Sequence, residues 1–231
     1  MAVDDSNTIA LLHFDGADAA TTFTDENGRT WTGAADAQLD TAQKKFGTAS
    51  LLLDGTGDYI DTPDHADFAF GSGNFTIEMF IKKNVDDASL YLCGQGDAAA
   101  SLGDLAWFIN FNANNTIRGE MLSSTTEYPA TSTGTITGTS WHHIALVRNG
   151  NTMTLYLDGV ADGTADVTGV TMVNSASKPT IGRQGEYASV PYFNGWIDEV
   201  RISNVARYTG NFTPPTVAFG TVASTGFFAF M

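Results

Sequence analysis

Apolar and polar residues alternate with a period of two along most of this chain, and a 3.6-residue helical rhythm is hard to find anywhere. In residues 75–82, FTIEMFIK, Phe75, Ile77, Met79 and Ile81 fall on one face and Thr76, Glu78, Phe80 and Lys82 on the other. This predicts a strand with one fully apolar face. Residues 140–163 hold two strand-forming runs, 141–148 and 152–158, joined by Asn149-Gly150. That dipeptide supplies the positive φ of a tight hairpin turn. On the first arm Ile144 and Leu146 oppose Trp141, Ala145 and Val147. On the second, Met153, Leu155 and Leu157 oppose Thr154, Tyr156 and Asp158. A hairpin with cover on both faces belongs in one half of a sandwich.

The same reading predicts strands over 8–14, 50–53, 75–82, 89–93, 105–111, 116–122, 178–183 and 195–203, with short ones at Tyr59-Ile60 and around Trp31. Residues 17–45 otherwise form a long polar excursion, 128–139 a Thr/Gly loop, and 184–193 a loop carrying Tyr187 and Tyr192. The fold class is therefore all-β. At 231 residues with 42% hydrophobic content, one sandwich can bury its own core. Residues 1–7 read as a lead-in, 8–212 as the domain, and 213–231 as a linker and tail, because Pro214-Pro215 cannot join a central ladder.

Charge narrows the function. Twenty-six acidic residues against 11 basic ones give a net charge of −15, which repels nucleic acid and anionic membranes. No apolar run is long enough to span a bilayer. The first residues, MAVDDSNT, carry acids where a secretory leader carries Lys or Arg, so no signal peptide and cytoplasmic synthesis are expected. The one cysteine, Cys93, cannot form an internal disulfide and reads as a small buried hydrophobe. The acids serve either solubility or a hard cation such as Ca2+, which takes carboxylate and carbonyl oxygens.

Strict alternation puts Asp198 on one strand face with Trp196, Val200 and Ile202, where a carboxylate is costly unless paired. It is either a Ca2+ ligand shared with Asp54 and Asp58 of the 54–58 turn, or a group satisfied by loop amides and hydroxyls. Glu199 and Arg201, on the other face, read as a surface ion pair. His142 and His143 point to opposite faces and cannot share a metal. A sugar ring stacks on aromatic faces and needs amides and charges at its rim. The loop residues that fit are Tyr128, Tyr187, Tyr192, Arg183, Asn112 and Asn114, whereas Trp107 reads as core. The apolar end, Phe227, Phe228 and Phe230, suits docking on a second copy or another protein, which makes a homo-oligomer the expectation.

Five ordered segments carry a resemblance: Phe46-Gly47 through Tyr59-Ile60, Phe75-Thr76-Ile77-Glu78, Trp141-His142-His143-Ile144-Ala145, Leu155-Tyr156-Leu157-Asp158-Gly159, and Gly195-Trp196-Ile197-Asp198-Glu199-Val200-Arg201-Ile202. Together they resemble the laminin-G-like, concanavalin A-like family, with Phe80 where relatives often carry Trp. The resemblance implies a jelly-roll sandwich of two antiparallel sheets and the binding of glycans or proteins. The Glu-x-Asp-x-x-Glu signature of glucanases with this sandwich is missing, no Ser/His/Asp elbow is found, and no catalytic residue is expected. Residues 40–47 and 204–215 look like members encoded by tailed bacteriophages, which implies a virion component such as a tail fibre, appendage or capsid decoration. The expectation is a non-enzymatic surface protein that attaches to host glycans and docks on other virion proteins. Its rivals are a structural brick without ligand and a polysaccharide-degrading enzyme.

Overall fold

The computed structural model describes residues 5–97, 102–186 and 191–220. Sixteen strands dominate them: β1 (Thr8–Leu12), β2 (Thr22–Thr24), β3 (Thr30–Ala34), β4 (Gln38–Asp40), β5 (Ser50–Asp54), β6 (Tyr59–Asp61), β7 (Phe75–Lys83), β8 (Leu90–Gln95), β9 (Trp107–Phe111), β10 (Ile117–Ser123), β11 (Thr126–Thr131), β12 (His142–Asn149), β13 (Thr152–Leu157), β14 (Val160–Asp166), β15 (Pro179–Ile181) and β16 (Asn194–Ser203). Among the described residues no helix is long and apolar enough to cross a membrane.

The strands form two antiparallel sheets. One runs β14-β13-β12-β7-β16-β5-β4, with β1 also on β16, and the other runs β11-β10-β9-β8-β15-β6-β3-β2. This is the all-β jelly-roll sandwich that the alternation and the resemblance led us to expect. Phe75, Ile77, Met79 and Ile81 of β7, Ile144 and Leu146 of β12, and Met153 and Leu155 of β13 pack from the first sheet into the shared core. Trp107, Ile109, Phe111, Ile117, Met121 and Ile181 meet them from the second. Each such side chain taken from water contributes about 1.5–3 kcal/mol before conformational entropy is counted. Cys93 is buried in the same core, and burial raises its thiol pKa, so it stays a protonated apolar filler.

The hairpin differs from its prediction by one position. Asn149 pairs with Thr152, leaving Gly150-Asn151 as the two-residue loop, and Gly150 carries the positive φ of +60°. Two strands lie where the sequence predicts none, β11 overlapping the start of the expected 128–139 loop and β14 after Asp158-Gly159. Both are polar edge strands, and Pro129 is tolerated in β11 because it lies at a sheet edge. The excursion over 17–45 contains β2, β3 and β4 rather than a single strand.

Parity along β16 also departs from alternation. Glu199 sits at φ +53° and the register with β7 shifts between Asp198 and Arg201, a β-bulge. Ahead of it β16 pairs with β5, and beyond it with β1. The extra residue flips the faces, so Ile197, Val200 and Ile202 all enter the core, while Asp198, Glu199 and Arg201 meet groups on the outer face. The domain also continues past Pro214-Pro215, correcting the boundary at 213. Residues 204–219 recross the outer face of the first sheet, where Ala206, Tyr208 and Phe212 pack on Ala145, Val147 and Tyr156, and Phe219 packs on Leu11 and Phe80.

Candidate ligand-binding surface

The outer face of the first sheet is closed by this C-terminal strap, and beneath it lies a buried polar network. Glu78 is fully buried and accepts from Arg201 Nε (2.8 Å) and the Tyr208 hydroxyl (2.8 Å), with His143 Nε2 at 3.2 Å. Burial by itself would raise the Glu78 pKa, but the His143 bond, the Arg201 charge and the Tyr208 hydroxyl together hold it below the ordinary carboxylate value. Glu199 meets His13 Nδ1 (2.8 Å) and accepts the Phe219 amide (2.8 Å). Glu199 and Arg201 are therefore buried, each with other partners, and are not the surface pair that alternation suggested. His142 lies near the rim against Asp158 (2.7 Å).

The structure does not bring the three candidate calcium ligands together. Asp198 lies in the interior of β16, where Oδ2 accepts the amides of Lys45 (2.7 Å) and Phe46 (3.1 Å). Burial, opposed by those amides, pushes its pKa up to about 7. Asp54 pairs with Asn194, four residues away along the same strand, a separation of about 13 Å at a strand's rise per residue. Asp58 uses both oxygens on backbone amides, Oδ1 on Asp36 (2.8 Å) and Oδ2 on Asp54 (2.8 Å). Asp54 itself accepts the Thr56 amide (2.6 Å). These carboxylates brace the 54–58 turn and the 44–46 loop, and among the described residues no group of three His, Cys, Asp or Glu side chains is arranged to hold a metal ion.

Two of the aromatic and basic candidates do converge, on the second sheet. Ile60 points into the core, so Tyr59 beside it in β6 faces outward. Arg183, just after β15, lays its guanidinium carbon 3.7 Å from the Tyr59 ring centroid. Tyr192, on the segment leading into β16, has its ring 6.2 Å from that of Tyr59 and 22° from parallel. The register that sets Ile181 of β15 against Ile60 of β6, and a bridge between Tyr192 and Tyr91 of β8, bring these sequence-distant positions together. Both tyrosines are half-buried. Two near-parallel rings, one of them under a cation, make a platform for a flat, weakly polar ligand face. Tyr59 was not among the sequence candidates, since a two-residue strand signal says nothing about its cross-strand neighbour.

The other candidates lie apart. Asn112 and Asn114 close the β9–β10 turn, with Asn112 Nδ2 donating to Thr116 Oγ1 (2.9 Å) and Asn114 Oδ1 accepting from the same hydroxyl (2.7 Å). Tyr128 packs against the core from β11. Tyr187, Phe227, Phe228 and Phe230 lie outside the described residues.

Comparisons with known proteins agree with the fold. A family model described as the concanavalin A-like lectin/glucanases superfamily matches residues 54–209. No curated protein matches the sequence. Among solved structures, the binding domain of Paraclostridial Mosquitocidal Protein 1 superposes with a TM-score of 0.70 at 14% identity, covering 89% of this chain and 51% of that one. The botulinum neurotoxin serotype G binding domain gives 0.65 at 12% identity, covering 87% of this chain and 49% of that one. This chain thus spans about half the length of these two. Domain 4 of AbnA, a GH43 extracellular arabinanase from Geobacillus stearothermophilus solved with arabinotriose, gives 0.64 at 18% identity, covering 87% of this chain and 93% of that one. At such identities the likeness is one of fold.

Proposed function

We propose that this chain, which belongs to the concanavalin A-like lectin/glucanases superfamily, is a non-catalytic domain that binds a glycan on the Tyr59–Arg183–Tyr192 face. The observation that carries this reading is the convergence of two half-buried rings and a stacked guanidinium from three separate segments on the outside of the second sheet. Sugar C–H faces stack on aromatic rings, and a neighbouring donor fixes their orientation. The arabinotriose bound to the AbnA domain is a further support, because that domain is matched over nearly its whole length.

A non-catalytic role is supported by the state of the acids. Glu78 is sealed beneath the strap by three partners, and Asp198 by two backbone amides. A glycosidase needs two carboxyls flanking a bond that the substrate can reach. The setting we infer is the exterior of a tailed-phage particle, in attachment or decoration, supported by the likeness of residues 40–47 and 204–215 to phage-encoded members of the family.

The test is a glycan array probed with the full chain, with bound polysaccharides then assayed for released reducing sugar and purified particles probed for the protein. Binding without release, and presence on the particle, are expected. Released sugar overturns the non-catalytic reading. A blank array with firm incorporation into particles leaves the structural brick.

A further inference from the structure

We propose that the ligand of this face carries a carboxylate and that the guanidinium of Arg183 receives it, making the domain selective for acidic glycans; the proposal rests on the glycan-binding reading above. Four Lys or Arg side chains are buried among the described residues: Lys83, Arg148, Arg183 and Arg201. Three are met from within the chain. Lys83 Nζ pairs with Asp86 (2.8 Å) and bonds Asn115 Oδ1 (2.7 Å). Arg148 donates to the carbonyls of Gly71, Gly150, Val167 and Val170. Arg201 meets Glu78.

Arg183 is 7% exposed, its Nε is buried without a partner, and among the described residues no carboxylate or carbonyl accepts from its guanidinium. Scarcity of acids does not explain this in a chain with 26 of them. The acids nearest along its own and neighbouring strands are held elsewhere. Asp58 accepts the amides of Asp36 and Asp54, Asp61 takes Lys178 Nζ (3.2 Å), and Glu186 accepts the Lys178 amide (3.3 Å). What Arg183 does have is the Tyr59 ring, which stabilises a cation without using its hydrogen-bond donors.

The buried Nε donor is unused, which is costly in the free protein, and the two Nη groups, which are not among the sealed unpaired atoms, are the donors that a ligand carboxylate can reach. The planar fork matches a carboxylate in two parallel bonds. With Tyr192 beside it for the sugar ring, the geometry fits a uronic or sialic type of residue better than a neutral one. Sulfate esters offer the same anionic oxygens from another source, and the test separates the two.

The experiment uses the full chain on an array of matched probes, each carboxylated oligosaccharide printed beside its methyl ester, with sulfated glycans and their desulfated forms alongside. The acid is expected to bind at least about ten-fold more tightly than its ester, as loss of a bidentate ionic contact implies. The preference should weaken with salt and collapse in Arg183→Gln. Equal binding of acid and ester overturns the proposal and leaves the glycan reading standing, whereas a blank array removes both. Sulfated glycans bound in preference to carboxylated ones overturn the carboxylate assignment. Should Arg183→Gln fail to fold, the acid-to-ester ratio of the unmodified chain decides alone.

Discussion

The backbone amide of Phe219 donates to Glu199 Oε2 at 2.8 Å, tying the segment beyond the two prolines to the bulge in β16. The Phe219 ring completes the contact, packing on Leu11 and Phe80 with the Arg201 guanidinium carbon 4.1 Å from its centroid. The strap is therefore part of the folded unit. Phe219→Ala should cost about 3 kcal/mol in urea unfolding, the usual loss for a buried phenylalanine. An unchanged midpoint would show the strap to be an attached tail.

Glu78 binds Arg201, His143 and Tyr208 at once, so its removal strands a buried guanidinium. Glu78→Ala should cost about 3–5 kcal/mol, as the breaking of buried pairs does. Glu78→Leu combined with Arg201→Met should cost much less than Glu78→Ala, because the uncompensated charge goes with its partner. Equal losses would mean that the network acts only by packing.

Asp198 carries a carboxyl whose pKa burial raises to about 7 in the fold, against an ordinary value of 3.8. Glu120, also fully buried, is raised by burial to about 7. For a raised carboxyl the folded state holds the proton longer than the unfolded one, so stability is highest below the unfolded value and falls as pH rises towards 7. Asp198→Asn keeps an oxygen for the Lys45 and Phe46 amides and cannot ionise. Relative to wild type it should gain stability steadily from pH 5 to pH 7, by more than about 1 kcal/mol, since a ten-fold difference in proton affinity between the two states corresponds to about 1.4 kcal/mol. A constant difference across that range would contradict the buried, reluctant ionisation of Asp198.

Because Asp58 uses both oxygens on backbone amides, Asp54 turns Oδ1 to the Thr56 amide, and Asp198 lies apart from them with Oδ2 on the Lys45 and Phe46 amides, calcium should not be structural at this turn. Chelator is expected to leave Tm unchanged, and added Ca2+ should not raise it. A rise that grows with Ca2+ concentration would reveal a site for the ion, since a ligand of the folded state alone must stabilise it.

Much of the sandwich is legible in the sequence. The alternations in β7, β12 and β13 sort Ile77, Leu146 and Leu155 to the core and Ala145 and Val147 to the opposite face, because side-chain parity follows directly from the pleat. Parity fails at β16, where a one-residue bulge at Glu199 carries no compositional mark, and it takes Asp198, Glu199 and Arg201 with it. The edge strands β11 and β14 are hidden because residues facing solvent on an edge need no apolar pattern. The strap reads as a linker, since Pro214-Pro215 excludes a ladder position but not packing across a sheet's outer face. At the candidate site, residue type alone points to Arg183 and Tyr192. Tyr59 lies far before Arg183 in the chain, and only the pairing of β6 with β15 joins them.

The most direct test of the account is the affinity of the full chain and of Tyr192→Ala for the best glycan found on the array, measured by titration calorimetry with Tm recorded for both. The half-buried ring should be dispensable for folding, so Tm is expected to stay nearly unchanged while affinity falls by about ten-fold or more, the loss of one stacked aromatic contact. Undiminished affinity in a folded Tyr192→Ala would place the ligand elsewhere on the molecule and contradict the site.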